Sequence, residues 1–222
     1  MKVRGLLVAS LVVTAAMVAF AFYTASLLPE GAQLPVHFDA AGKPDRYADA
    51  LAALLIAPGV VLAVSLLMAA TPFIEPLQEK LEASASLFRI AWLGLLAIMA
   101  FVQLSIAAPA HGWVLPPMLF YIAIGLFFVA LGNMLPKSRP SFFVGIRTPW
   151  TLTDTDNWIA THRLGGKLMM LAGGAMIAIP FLPLDNGGRV ALLIGSLLCA
   201  ALVPVVYSWW FWRAKKKAAR AK

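Results

Sequence analysis

Along the chain, long runs of Ala, Leu, Val, Ile and Phe alternate with two polar segments, and the runs set the architecture. Six stretches approach the ~20 apolar residues needed to cross a bilayer as a helix: 5–28, 51–74, 88–108, 115–135, 165–183 and 190–212. None carries Asp, Glu, Lys or Arg in its central turns; Lys167 and Arg189 mark helix edges and Arg89 follows a start. The fold class expected is therefore an all-α integral membrane protein, a six-transmembrane helix bundle. The first run, after MKVR, contains Ala19-Phe20-Ala21, a small-x-small triplet like a leader cleavage site, but the run is longer than a typical leader core and is expected to be retained.

Composition agrees. Of 222 residues 61% are hydrophobic and 13% charged, with a mean hydropathy of +0.84, against about 25% charged in soluble domains. The net charge of +8 would suggest nucleic acid in a soluble chain. Here position decides: with both termini cytoplasmic, fifteen of the eighteen Lys and Arg fall inside and only Lys43, Arg46 and Arg189 fall outside, as the positive-inside rule requires. No direct nucleic-acid binding is expected; the lipid bilayer is the first partner. Cys199 is the one cysteine, so an internal disulfide or a cysteine-rich metal site is excluded.

The organisation expected is a two-helix region at 1–74 enclosing an outer polar loop at 29–50, a four-helix region at 88–212 enclosing an inner polar loop at 136–164, and a basic tail at 213–222. Pro58, Pro72, Pro180 and Pro204 fall within spans and predict kinks. Gly165, Gly166, Ala172, Gly173, Gly174 and Ala175 predict close helix packing.

In the outer loop, Gly42 and Pro44 mark a turn, and Asp45 or Asp49 is placed to cap the second helix. His37, Asp39, Asp45 and Asp49 are metal-capable, but only one nitrogen ligand is present where zinc sites use several, so turn-and-cap structure is expected and no metal. The same residues also suit an outward recognition surface.

In the inner loop, Pro136, Pro140 and Pro149 oppose helix in the first half, whereas TDTDNWIATHRLGGK offers caps followed by a helix. On that helix Trp158, Thr161, His162 and Gly165 share a face. Trp150 and Trp158 suit the headgroup zone, and Arg147 and Arg163 suit lipid phosphate or the open carbonyls of a helix end. Two readings stand: a re-entrant plug at the mouth of the bundle, or a docking surface for a soluble partner or anionic ligand.

Catalysis finds little support. Asp154 and Asp156 precede His162 by eight and six residues across a capping turn, and no phosphate loop, HExxH or GxSxG is present. No cofactor is expected. Ion-coupled transport usually uses ionisable groups at bilayer depth, and this chain offers only Gln103, Asn133 and scattered hydroxyls.

The ordered run Asn133, Pro136, Lys137, Phe143, Gly145, Ile146, Arg147, Thr148, Pro149, Trp150, Trp158, Thr161, His162, Arg163, Leu164, Gly165, Gly166 and Lys167 resembles the signature of the SdpI family. The outer run Leu34-Pro35-Val36-His37-Phe38-Asp39, with Gly42, Pro44, Asp45 and Tyr47, is similar to the domain of unknown function that often precedes it. Asp39 stands where Asn is commoner, and Ala50 near a position where many relatives carry Lys.

The resemblance implies a six-span, non-enzymatic membrane protein giving immunity to a secreted, membrane-active antimicrobial peptide. The family's namesake also captures a cytoplasmic repressor. On this basis His37, Asp39, Gly42 and Asp45 are candidates for contact with a toxin peptide outside, and the signature residues for structure or for a soluble regulator inside. A signalling receptor and a small-molecule or lipid transporter are the alternatives. None of these features encodes the oligomeric state.

Overall fold

The computed structural model describes residues 2–38 and 44–220. Six helices are long and apolar enough to cross a membrane: α1 (Arg4–Ser26), α2 (Ala50–Ile74), α4 (Ala85–Ala107), α5 (Met118–Met134), α7 (Thr155–Ala178) and α8 (Asn186–Arg220). Two short helices, α3 (Gln78–Ala83) and α6 (Pro149–Thr153), lie in connections. The expected six-span helical architecture is thus observed.

Three boundaries differ from the sequence reading. The segments flanking the expected turn, read from the sequence as loop, are an antiparallel hairpin, β1 (Gln33–Phe38) with β2 (Pro44–Asp49), whose register pairs Gln33 with Asp49 and Leu34 with Ala48. Asp45 lies within β2 and faces His37, whereas Asp49, the other cap candidate, immediately precedes Ala50 at the start of α2; strand pairing satisfies the backbone that a loop would have left to water. The fifth span starts about ten residues earlier than expected, because the cap at Asp154 lets the polar turn-forming sequence run on into the apolar one as a single helix. Pro149, expected to oppose helix, is the first residue of α6, where its missing N–H costs nothing. Of the four span prolines, Pro180 falls in a 3₁₀ turn, Ile179–Phe181, after α7, and Pro204 lies inside α8.

The chain divides into two compact units. One comprises residues 2–70 and 92–120. Its core joins Ala21, Leu34, Ala50, Ala53, Leu54, Ile106 and Ala107. Lipid is as apolar as these side chains, so burial alone draws helices together weakly, and interhelical hydrogen bonds add direction. Trp92 donates its indole N–H to Ser10 Oγ at 2.8 Å and Ser65 Oγ at 3.1 Å. Gln103 donates to the Met17 and Leu54 carbonyls at 2.8 and 3.2 Å. Thr24 is bonded to His111 Nε2 at 3.0 Å, and the His111 ring stacks on Trp113.

The other unit comprises residues 71–91 and 121–222. Its α5 and α7 meet along a glycine seam. A Cβ on Gly132 would lie 2.7 Å from the Gly166 carbonyl oxygen, and one on Gly125 would lie 2.6 Å from that of Gly173. Seven residues separate the glycines on each helix, so both contacts fall on one face. Of the small residues read from the sequence, Gly166 and Gly173 therefore form the contact line with α5, and α7 also packs on α8.

Candidate functional site

The signature residues converge in the second unit around the fully buried ring of His162 on α7. Its Nδ1 lies 2.8 Å from the Trp158 carbonyl, to which only an N–H can bond, so Nδ1 carries the proton and Nε2 accepts the Ile146 N–H at 2.8 Å. Both nitrogens are used. The ring stacks on Trp158 at 3.9 Å, and Trp158, itself fully buried, donates to Ser138 Oγ at 3.3 Å. Trp158 therefore does not occupy the headgroup zone expected of it: i, i+4 spacing directs it inward with His162.

Gly145 lies above this aromatic pair. Its φ is +106°, and a Cβ there would sit 2.5 Å from His162 Nε2 and 2.8 Å from the Trp158 ring. Glycine is required twice over, by backbone conformation and by space. Gly165 and Gly166 serve close approach as well: a Cβ at Gly165 would meet Ile146 at 2.5 Å, and one at Gly166 would meet Pro136 at 2.8 Å.

Next to this pair, a chain of buried hydroxyls and an amide ties α6 and α7 to α8. Thr148 caps α6 in a reciprocal capping box with Thr151. Its hydroxyl is also 3.1 Å from Ser208 Oγ, while Thr151 Oγ donates to the Ile146 carbonyl at 2.9 Å. Asn157 donates to the Ser208 carbonyl at 2.8 Å and accepts from Thr161 Oγ at 3.0 Å. Every polar group in this chain has a partner, as low dielectric demands.

A buried carboxylate organises the start of the segment. Glu75, directly after α2, accepts the Ser141 hydroxyl at 2.6 Å and the Phe142 and Phe143 N–H groups at 3.0 and 3.3 Å. Its other oxygen accepts the Leu77 N–H at 3.0 Å. Ser84 Oγ accepts the Arg139 N–H at 2.9 Å. Glu75, Ser84, Ser138, Ser141, Thr151, Asn157 and Ser208 were not singled out from the sequence. Glu75 did carry a signal, being an acid at the very end of an apolar run and followed by Pro76.

The remaining signature residues face outward. Asn133, Arg147, Arg163 and Pro149 are exposed, and Arg147 donates to the Phe142 carbonyl at 2.7 Å. Trp150 is half-buried and packs against Trp212 of α8 at 6.2 Å. Asp154 accepts the Asp156 and Asn157 N–H groups at the start of α7 and pairs with Lys215, which also reaches Asp156 at 2.9 Å. Burial pushes the Asp154 carboxyl up, but Lys215 and the backbone N–H groups of Asn157 and Asp156 together outweigh it and hold it below its ordinary range.

In the first unit, His37 Nδ1 and Asp45 Oδ1 face each other across the hairpin at 2.5 Å, both about half exposed. Tyr47 on β2 is 55% exposed, and His37, Asp45, Arg46 and Asp49 are exposed with it, which leaves an aromatic and several ionisable side chains open to contact. Asp39 and Gly42 lie outside the described residues. Among the described residues no three His, Cys, Asp or Glu side chains are placed to hold a metal.

Two family matches cover these regions. Residues 137–208 match the SdpI/YfhL protein family, an interval that ends at Ser208, where the hydroxyl chain reaches α8. Residues 11–62 match a domain of unknown function, DUF1648, which takes in most of α1, the hairpin and the first half of α2. The chain is similar to the Immunity protein SdpI of Bacillus subtilis (strain 168), 25% identical over 177 residues, or 79% of this chain and 80% of that protein. No solved structure matches. The chain thus carries a region that matches the DUF1648 model followed by a region that matches the SdpI/YfhL protein family model, in a chain with six helices long and apolar enough to cross a membrane.

Proposed function

We propose that this protein sits in the bacterial cytoplasmic membrane with both termini inside and gives tolerance to a secreted, membrane-active antimicrobial peptide, without catalysing a reaction. The observation that carries this reading is the 177-residue similarity to a protein named for immunity. The geometry supports it. His162, the signature side chain best suited to proton transfer, has both nitrogens committed to backbone groups and no exposed surface. Hydrogen bonding of this kind suits a scaffold rather than a turnover site. The hairpin, with His37, Asp45 and Tyr47 exposed, is the surface assigned to the peptide.

The test is survival. Cells lacking the gene are expected to become sensitive to at least one membrane-active peptide, and the wild-type gene to restore growth. Arg147→Ala, at a comparable membrane level measured by immunoblot, is expected to abolish the rescue. Unchanged sensitivity across a broad peptide panel would overturn the proposal.

A second reading, capture of a soluble regulator by the 138–150 segment, is favoured by one feature. Phe142 and Phe143 are 46% and 40% exposed between the exposed Arg139 and Arg147, an apolar pair framed by cations. Exposed aromatics beside Arg are typical of interface centres. Pull-down from solubilised membranes with wild type and Phe142→Ser/Phe143→Ser distinguishes it: a soluble protein recovered only with wild type supports capture, and none with either argues against it.

A further inference from the structure

The end of α8 has two unlike faces. At 35 residues α8 is roughly 52 Å long, against a hydrocarbon core of about 30 Å, so its final turns extend past the apolar layer. One face of these turns is anchored: Ser208 to Thr148 and Asn157, Trp212 to Trp150, and Lys215 to Asp154 and Asp156. With residues about 100° apart around a helix, Trp209, Arg213, Lys216 and Arg220 fall together on the other. There Arg213 lies over the Trp209 ring at 5.3 Å and Lys216 over the Trp212 ring at 5.0 Å. With Lys217 these residues line one open concavity.

Lys215 is neutralised by two carboxylates, whereas among the described residues no carboxylate pairs with Arg213, Lys216, Lys217 or Arg220. Four cations with no carboxylate partner among the described residues, two of them held over indole rings where apolar chain gives way to water, have the chemistry of an anion site with an apolar floor. We propose that this face is a binding site for the headgroup of an anionic phospholipid. Arg213 and Lys216 contact the phosphate, Lys217 and Arg220 supply the surrounding positive field, and the Trp209 and Trp212 rings lie against the glycerol and upper acyl region. In this arrangement the buried signature network fixes α8 in rotation, so that its basic face meets the lipid.

The test is native mass spectrometry of the full-length protein in detergent. The probes are phosphatidylglycerol, phosphatidylcholine and inorganic phosphate, applied to wild type and three variants. Wild type is expected to retain phosphatidylglycerol at least tenfold better than phosphatidylcholine. Arg213→Gln/Lys216→Gln is expected to lose most of that preference. An equal-charge rearrangement, Arg213→Ala/Ala214→Arg/Lys217→Ala/Ala218→Lys, turns two cations off the face and is expected to behave like the Gln variant. Lys215→Gln is expected to keep the preference. All substituted side chains are exposed, so the lipid-free melting temperature should hold for the Gln and rearranged variants. The proposal is overturned if the rearranged variant binds phosphatidylglycerol like wild type, since a diffuse basic tail would then suffice. It is overturned too if both lipids bind equally, or if inorganic phosphate displaces the lipid at equal concentration.

Discussion

Single residues in the signature are fixed by what they touch. At Gly145 the +106° φ and the aromatic pair beneath it act together. Gly145→Ala is expected to destabilise the protein by about 2–4 kcal/mol, from backbone strain plus displacement of the His162 ring, read as a lower melting temperature in detergent. At Glu75, one carboxylate accepts four donors. Glu75→Gln replaces an oxygen with an NH₂ that faces donors, leaving buried groups without acceptors, and is expected to cost about 1–3 kcal/mol. Faster amide hydrogen exchange at Phe142 and Phe143 would locate the loss.

Helix pairs carry the next level of constraint. The α5–α7 seam allows backbone contact only because both sides lack a side chain. Gly166→Leu would drive Cβ to 2.6 Å from the Gly132 carbonyl oxygen, whereas at Gly174, on the same helix, nothing lies within 4 Å. Gly166→Leu is therefore expected to cost about 3 kcal/mol or more in thermal or denaturant unfolding, and Gly174→Leu almost nothing; equal effects would contradict the seam. The junction of α7 with the end of α8 is expected to respond to pH. Because Asp154 is held below its ordinary carboxylate range when folded, its contribution is present above its unfolded pKa and is lost as pH falls through the lower, folded value. Amide exchange in 154–157 and 212–216 should accelerate only below the usual carboxylate range. Lys215→Gln should already show part of that acceleration at pH 7.

For the whole chain, the distribution of basic residues predicts sidedness. With Cys199 replaced, single cysteines at Tyr47 and Thr153, both exposed, are expected to react with an impermeant thiol reagent from opposite sides of intact membranes, Thr153 from the cytoplasm. Reaction of Thr153 from outside and Tyr47 from the cytoplasm would reverse the assignment of termini made under the proposed function, and reaction of both from one side would contradict the three spans between them.

Much of this was legible in the residues. The six spans are a property of local composition: the transfer of each apolar side chain into lipid adds to that of its chain neighbours, so a running sum along the sequence finds them. The shared face of Trp158, Thr161, His162 and Gly165 follows from helical spacing, and all four are buried. Whether that face meets water, lipid or protein is not legible, and for this reason the sequence points Trp158 to the headgroups and leaves Asp45 and Asp49 as equal candidates for a helix cap. Those outcomes rest on partners far away in the chain. Glu75 meets Ser141 across 66 residues and Thr148 meets Ser208 across 60, and hydrogen bonds depend on distance and direction in space, which no linear sum contains. Sequence alone thus determined which segments enter the membrane, because that free energy is additive and local. Tertiary structure alone decided which polar residues the segments bring together, because that free energy belongs to pairs.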